Sequence, residues 1–183
     1  MAYNLNNKLV IAISSRALFD LEEENQIFEK DGLDAYYKYQ LENEDKSLKK
    51  GTGYRLVENI LKINSFFSSD ERQVEVIILS KNNAATSLRI TNAINDLKLD
   101  IIRSAWTSGT NISNYLKAFK VDLFLSADDN DVLNAIENGV AAAKILHSNE
   151  NIHNISNEQV RIAFDGDAVL FSEESELVYK NHG

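Results

Sequence analysis

The sequence predicts an α/β protein: a mostly parallel sheet with helices on both faces, of the Rossmann-like kind. Short apolar runs rich in β-branched residues alternate with amphipathic segments between residues 9 and 146. Such alternation is typical of a parallel sheet with crossover helices. Several apolar runs are also followed by polar residues, as Leu9–Ile13 is followed by Ser14-Ser15-Arg16. In sheets of this class, ligands bind at the carboxyl ends of the strands.

The individual elements follow from hydrophobic period and from breaking residues. Apolar runs predict four strands, at residues 9–13, 74–79, 99–105 and 121–125. Apolar positions at helical spacing predict six helices, at residues 22–30, 33–42, 54–63, 84–97, 110–119 and 129–146. Asp31-Gly32 separates the first two helices, because glycine readily ends a helix. The acidic and lysine-rich segment 42–50 is predicted to be a solvated loop.

A short internal repeat divides the chain. Residues 9–32 align without a gap with residues 160–183, and six positions are identical, including Ile11 with Ile162 and Gly32 with Gly183. We therefore predict one domain over residues 1–150. Residues 151–183 would form a linker followed by the first strand, at residues 160–164, and the first helix of a second, truncated repeat. The alternative is that any two strand-turn-helix units resemble each other.

Composition excludes several classes of function. The 19 basic and 28 acidic residues give a net charge of −9, which argues against a nucleic-acid or anionic-membrane partner because either needs a basic surface. No cysteine is present, so a disulfide framework and a thiolate metal site are excluded. No apolar run has the length of a membrane span or a signal peptide. We expect a soluble, cytoplasmic protein.

The strongest candidate site is Asp165-Gly166-Asp167, which lies between two apolar runs. Side chains two residues apart on an extended strand point the same way, so both carboxylates can face one ligand. A metal-bound phosphate is the ligand that such a pair favours. Two alternatives remain: a solvated turn, and a calcium loop, which Val169 and Leu170 disfavour because they occupy positions where acidic ligands would be needed.

The run F-D-G-D-A-V-L-F, followed by S-E-E-S-E, resembles the first motif of the cytosolic type I 5'-nucleotidases, a branch of the haloacid-dehalogenase-like phosphatases. The resemblance extends to residues 11–19, 39–44 and 125–128. It implies that Asp165 is a nucleophile that forms an aspartyl-phosphate, that Asp167 is the general acid, and that both hold Mg²⁺. The first repeat has Ser14-Ser15-Arg16 in place of the acidic pair, so the resemblance implies a degenerate, catalytically retired domain there.

Polar residues after the predicted strands are candidates for binding the substrate. They follow the first three strands: Ser14, Ser15, Arg16, Ser80, Asn82, Thr107, Ser108 and Gly109. By resemblance, Ser80, Lys117 and Asp128-Asp129 fall where such phosphatases carry a phosphate-binding hydroxyl, a lysine and metal-orienting acids. The alternatives are a strand-end cap for Ser80, a solvated helix lysine for Lys117, and a helix N-cap for Asp128 or Asp129.

These observations favour Mg²⁺-dependent hydrolysis of a nucleoside 5'-monophosphate. We expect little activity from these 183 residues, because the resemblance places further catalytic residues beyond Gly183. The alternative is a non-catalytic domain of the same fold that binds a nucleotide or a partner chain. Since the predicted strand 160–164 must pair with another strand, we also expect a homo-oligomer or a docked C-terminal segment.

Overall fold

The computed structural model describes residues 4–147, 162–163 and 174–182. Asp165 and Asp167 lie outside these residues. The elements are β1 Leu9–Ile13, α1 Ser15–Leu18, β2 Phe19–Asp20, α2 Glu22–Glu42, β3 Lys49–Lys50, α3 Tyr54–Leu61, β4 Val74–Ser80, α4 Leu88–Asp96, β5 Arg103–Trp106, α5 Ser113–Ala118, β6 Leu123–Ser126, α6 Asp129–Glu137, β7 Ala141–Lys144 and α7 Glu174–His182, with 3₁₀ turns at Lys62–Phe66 and Ser69–Glu71.

Five strands form one parallel sheet in the order β5-β4-β1-β6-β7. The central strand β1 pairs with β4 through Ile11 and Val76, and with β6 through Ile11 and Leu123. The chain therefore builds outward from β1 to β5, then returns to the other side of β1 and builds out to β7. This is the doubly wound arrangement, and its direction reverses at β1. The predicted α/β class is confirmed.

Each face of the sheet carries its own apolar core, because successive strand residues point to opposite faces. Ile11 and Ile13 of β1 belong to a cluster that includes buried residues of α3 and α4. Val10 and Ala12 belong to a second cluster with residues of α5 and α6. Helices thus cover both faces, as predicted. Within the described residues, no helix has the length and apolar character required to cross a bilayer.

The helix predicted over residues 129–146 is wrong in its second half. α6 ends at Glu137, the following Gly139 adopts φ 77°, and residues 141–144 form β7 instead. Ala141 pairs with Leu123, so an alanine-rich segment that intrinsically prefers a helix forms hydrogen bonds with the edge of β6 as a strand. Backbone pairing between strands therefore overrides intrinsic propensity here.

Smaller differences concern element boundaries. β5 begins at Arg103 and α4 at Leu88, each four residues later than predicted. The predicted loop 42–50 contains the short strand β3, which pairs antiparallel with β2. The predicted helix break is confirmed: Gly32 adopts φ 85° and ψ −176° inside α2, a conformation accessible to glycine, and divides the helix into two segments.

The buried tyrosine that begins α3 predicts how the stability of the protein changes at alkaline pH. Tyr54 is 3% exposed, and burial, followed by the charge of Glu58, raises its pKa to about 12. Between pH 10 and pH 12 the phenol ionises in the unfolded chain but not in the folded protein, so the free energy of unfolding falls as the pH rises. Tyr54→Phe removes this contribution. We expect urea unfolding at pH 8 and pH 11 to show that the variant loses less free energy of unfolding than the parent between these pH values. An equal loss in both proteins would contradict the raised pKa of Tyr54.

Candidate functional site

A cavity of about 660 Å³ opens at the carboxyl edge of the sheet, where β1, β4 and β6 end side by side. This edge is the place where ligands bind in doubly wound sheets, since the chain changes direction there. The volume falls in the range of about 300–1,000 Å³ that is typical of small-molecule sites. The lining residues are Ser14, Ser15, Arg16, Leu21, Glu24, Asn25, Phe28, Leu33, Tyr36, Ser80, Lys81, Asn82, Asn83, Thr86, Ser108, Gly109, Ser126, Asp128 and Asp131.

Four hydroxyl groups from the three strand ends form the bottom of the cavity, which we call the serine floor: Ser14, Ser15, Ser80 and Ser126. The hydroxyl oxygens of Ser15 and Ser80 lie 3.0 Å apart, and Ser126 donates to Ser14 Oγ at 3.4 Å. All four residues are buried. Hydroxyls both donate and accept hydrogen bonds and carry no charge, so this floor can bind an anion or a polar neutral group.

One wall of the cavity comes from α2, and Tyr36 connects it to the floor. The Tyr36 hydroxyl oxygen accepts hydrogen bonds from Gln40 Nε2 at 3.0 Å and Asn82 Nδ2 at 3.2 Å. Ser80 in turn donates to Asn82 Oδ1 at 3.1 Å. Burial raises the pKa of Tyr36 above its ordinary value of 10.0, so the phenol keeps its proton at neutral pH. The Phe28 ring stands edge-on to Tyr36, with centroids 5.9 Å apart.

A buried ion pair fastens this wall to the rest of the domain. Arg89 Nη1 of α4 lies 2.5 Å from Glu24 Oε1, and both side chains are 6% exposed. The same guanidinium donates to Gln40 Oε1 at 3.4 Å and to the Lys46 carbonyl at 3.0 Å. Glu24 and Gln40 belong to the two segments of α2 on either side of Gly32. Arg89 therefore holds both segments against the sheet, and with them the wall that contains Tyr36.

The acidic side chains of the cavity already have partners. Besides Glu24, Asp131 lies 2.6 Å from Lys81 Nζ, and Asp128 Oδ1 accepts the Asp131 amide at 3.0 Å as the N-cap of α6. Among the described residues, no group of three or more histidine, cysteine, aspartate or glutamate side chains could hold a metal ion. The described residues of this cavity therefore do not by themselves fit a Mg²⁺ site. The candidate ligands Asp165 and Asp167 lie outside the described residues.

The structure brings together most of the residues predicted to bind substrate, although their roles stay predictions. Seven of them line the cavity: Ser14, Ser15, Arg16, Ser80, Asn82, Ser108 and Gly109. Thr107 is buried and exchanges hydrogen bonds with Thr110 at 2.8 Å. Lys117 is exposed on α5, and Asp129 pairs with Lys144 at 2.7 Å. Asp128 is a helix N-cap, which is the alternative interpretation considered for it.

Sequence reasoning missed the α2 wall. Phe28 and Tyr36 belong to α2 and not to a strand end, and the packing of α2, which the Glu24–Arg89 pair supports, brings them to the cavity. One sequence feature pointed to them: the Asp31-Gly32 break, which divides α2 and allows its two segments to turn independently.

The fold and the cavity together define a doubly wound α/β protein with a small-molecule site at the carboxyl edge of its sheet. The chain belongs to the 5'-nucleotidase family, since the family model described as 5'-nucleotidase matches residues 1–183. It is also 35% identical over 181 residues to human cytosolic 5'-nucleotidase 1B, in a match that covers 97% of this chain and 30% of the relative. The chain thus spans less than a third of that relative's length. The resemblance to the cytosolic type I family is confirmed.

Proposed function

We propose that the protein hydrolyses nucleoside 5'-monophosphates such as AMP to nucleoside and phosphate, in a Mg²⁺-dependent reaction in the cytoplasm. The observation that carries this proposal is the family match over the whole chain, because the matched region contains Asp165-Gly166-Asp167. The relative is named as a cytosolic 5'-nucleotidase, which supports both the substrate class and the location. We also propose the division into residues 1–150 and 151–183.

In the proposed reaction, the Asp165 carboxylate attacks phosphorus and the bond from phosphorus to the nucleoside oxygen breaks. Asp167 donates a proton to that oxygen, so the nucleoside leaves as a neutral alcohol. Asp167 then takes a proton from the water that hydrolyses the aspartyl-phosphate. Mg²⁺ held by these two aspartates would supply charge neutralisation of the phosphate. One carboxylate stays ionised while the other carries a proton, which is the division that these roles require.

We further propose that hydrolysis needs residues in addition to these 183. A phosphate-binding hydroxyl, a lysine and a second acidic pair are needed beside the aspartates. The serine floor offers hydroxyls, but the described residues around it supply no cluster of carboxylates. The relative is more than three times as long as the matched region, which leaves room for such residues. A C-terminal segment or a second copy of the chain would also pair with the predicted strand 160–164.

The test compares phosphate release from AMP by the 183-residue chain and by a polypeptide that also carries the residues encoded downstream, each with Mg²⁺ and with EDTA. We expect the longer polypeptide to be faster by about two orders of magnitude or more. EDTA should abolish the difference. Equal rates for the two polypeptides, or rates that EDTA leaves unchanged, would contradict the proposal.

A second candidate function is nucleotide binding without catalysis. The cavity at the carboxyl edge favours it, because a site with polar hydroxyls, an aromatic wall and paired carboxylates is suited to holding a ligand rather than to attacking it. In this case, the seven candidate substrate-binding residues that line the cavity would contact a nucleotide that is never hydrolysed there. If the chain binds AMP but releases no phosphate under any of the conditions above, nucleotide binding would be the only one of the two functions still supported.

A further inference from the structure

The cavity changes in polarity from its floor to its mouth. The serine floor is formed by buried hydroxyls, whereas Phe28 and Leu33 line the cavity and are 47% and 61% exposed. Exposed apolar side chains around a polar cavity are typical of a binding site, since water solvates them poorly. The complementary ligand has a polar group at one end and a flat apolar ring at the other.

One cationic side chain of the cavity is available to that ligand. Arg16 lines the cavity, and its guanidinium is close enough to Tyr36 to favour the ionised phenol electrostatically. No described residue forms a hydrogen bond or ion pair with the Arg16 side chain, whereas the neighbouring Lys81 is neutralised by Asp131 at 2.6 Å. A guanidinium binds two oxygens of a phosphate or a carboxylate at once, and the serine floor offers further hydroxyl donors, which favours a phosphate monoester with its three terminal oxygens.

Tyr36 adds a hydrogen-bond donor between these two ends. Its oxygen already accepts two amide hydrogens, from Gln40 and Asn82, and its own proton has no acceptor among the described residues. The phenol touches both Phe28 on the wall and, through Asn82, the serine floor. A ligand oxygen between a phosphate and a base, such as a ribose hydroxyl, would accept this proton.

From this arrangement we infer that the cavity is a nucleotide site of its own, which holds a nucleoside monophosphate without metal, with the phosphate at the serine floor and Arg16 and the base against Phe28. The inference rests on the proposed function for the class of ligand. It goes beyond that function because Glu24 and Asp131 are ion-paired, Asp128 caps α6, and the described residues form no carboxylate cluster that could hold a cation. Binding here is independent of Asp165.

The test is calorimetric titration of the 183-residue chain in EDTA with AMP, adenosine and ribose 5-phosphate. We expect AMP to bind more tightly than either fragment. Arg16→Gln should weaken AMP binding by roughly tenfold to a hundredfold, since it removes only a charged hydrogen bond to the phosphate. The affinity for adenosine should be unchanged. Phe28→Ala should weaken the binding of AMP and of adenosine to the same extent. The matched control for the loss of charge is Lys38→Gln, at an exposed residue, and it should change the affinity for neither AMP nor adenosine.

Asp165→Asn separates this inference from the proposed enzymatic function. If it abolishes hydrolysis by the longer polypeptide and leaves AMP binding in EDTA unchanged, both proposals are supported. Binding that requires Mg²⁺, or that Asp165→Asn weakens, would overturn the inference, because the cavity would then be part of the catalytic site. Adenosine affinity equal to AMP affinity, or equal effects of Arg16→Gln and Lys38→Gln, would also overturn it. An inactive longer polypeptide whose cavity still binds AMP would overturn only the enzymatic proposal.

Discussion

Replacing Asp165 with asparagine is expected to lower Mg²⁺-dependent phosphate release from AMP by at least about a thousandfold in the polypeptide that carries the downstream residues. The amide of asparagine has nearly the same shape as the carboxylate but cannot attack phosphorus, and it is a poorer ligand for a divalent cation. The loss therefore reports on chemistry rather than on packing. The measurement is the initial rate of phosphate release under saturating AMP.

The matched control is Asp70→Asn, which makes the same change at an exposed position in the 3₁₀ turn Ser69–Glu71. This variant should retain the activity of the parent, because it lies on the surface and carries no candidate role. Asp167→Asn should lower the rate as well, and most strongly for substrates with a poor leaving group, since it removes the proton donor. Equal rates for Asp165→Asn and Asp70→Asn would rule out the nucleophile role of Asp165.

The second large effect concerns stability. Arg89→Met is expected to lower the free energy of unfolding by about 3–5 kcal/mol, because it leaves the carboxylate of Glu24 buried without its partner. The Lys46 carbonyl and the Gln40 side chain lose a donor at the same time. Urea unfolding, followed by circular dichroism, measures the change as a lower midpoint at a similar slope.

Two further variants identify the cause of this loss. Glu24→Gln combined with Arg89→Met removes both charges, and we expect it to recover part of the lost stability. Lys38→Met breaks an exposed pair with Glu42 at 3.8 Å on the same helix. This control should change stability by less than about 0.5 kcal/mol, because solvent screens exposed pairs. Equal effects of Arg89→Met and Lys38→Met would show that the Glu24–Arg89 pair does not hold α2 in place.

Much of the sheet could be predicted because its strands carry their own pattern. β1, β4 and β6 are apolar runs buried on both faces, and the apolar residues of β1 and β4 supply both cores. β7 could not be predicted in this way. Its sequence is mostly alanine, which favours helix, and its strand conformation depends on the partner strand β6. Local pattern identifies the central strands better than β7, because the side chains of β7 are mostly exposed and burial therefore imposes no strand pattern on its sequence.

The cavity was predictable to a similar, partial degree. Ser14, Ser80 and Ser108 follow strand ends, and a parallel sheet brings its carboxyl ends to one edge. The α2 wall was not predictable, because the position of Tyr36 depends on how α2 packs back over that edge. Arg89 looks like an ordinary surface arginine in the sequence, and its partner Glu24 lies 65 residues away. Asp165 and Asp167 stay predictions, since they lie outside the described residues.

The central position of β1 has a consequence for synthesis on the ribosome. The hydroxyl contact between the β1 and β4 ends joins residues 65 apart, and the backbone of Val10 bonds to Asp122, 112 positions further along. β1 thus emerges before the other strands of its sheet, yet it gains its second neighbour only when β6 has been translated. Contacts of such long sequence separation slow folding. β1 therefore stays without one of its two neighbours until β6 has emerged, and during that interval its apolar side chains are exposed to aggregation.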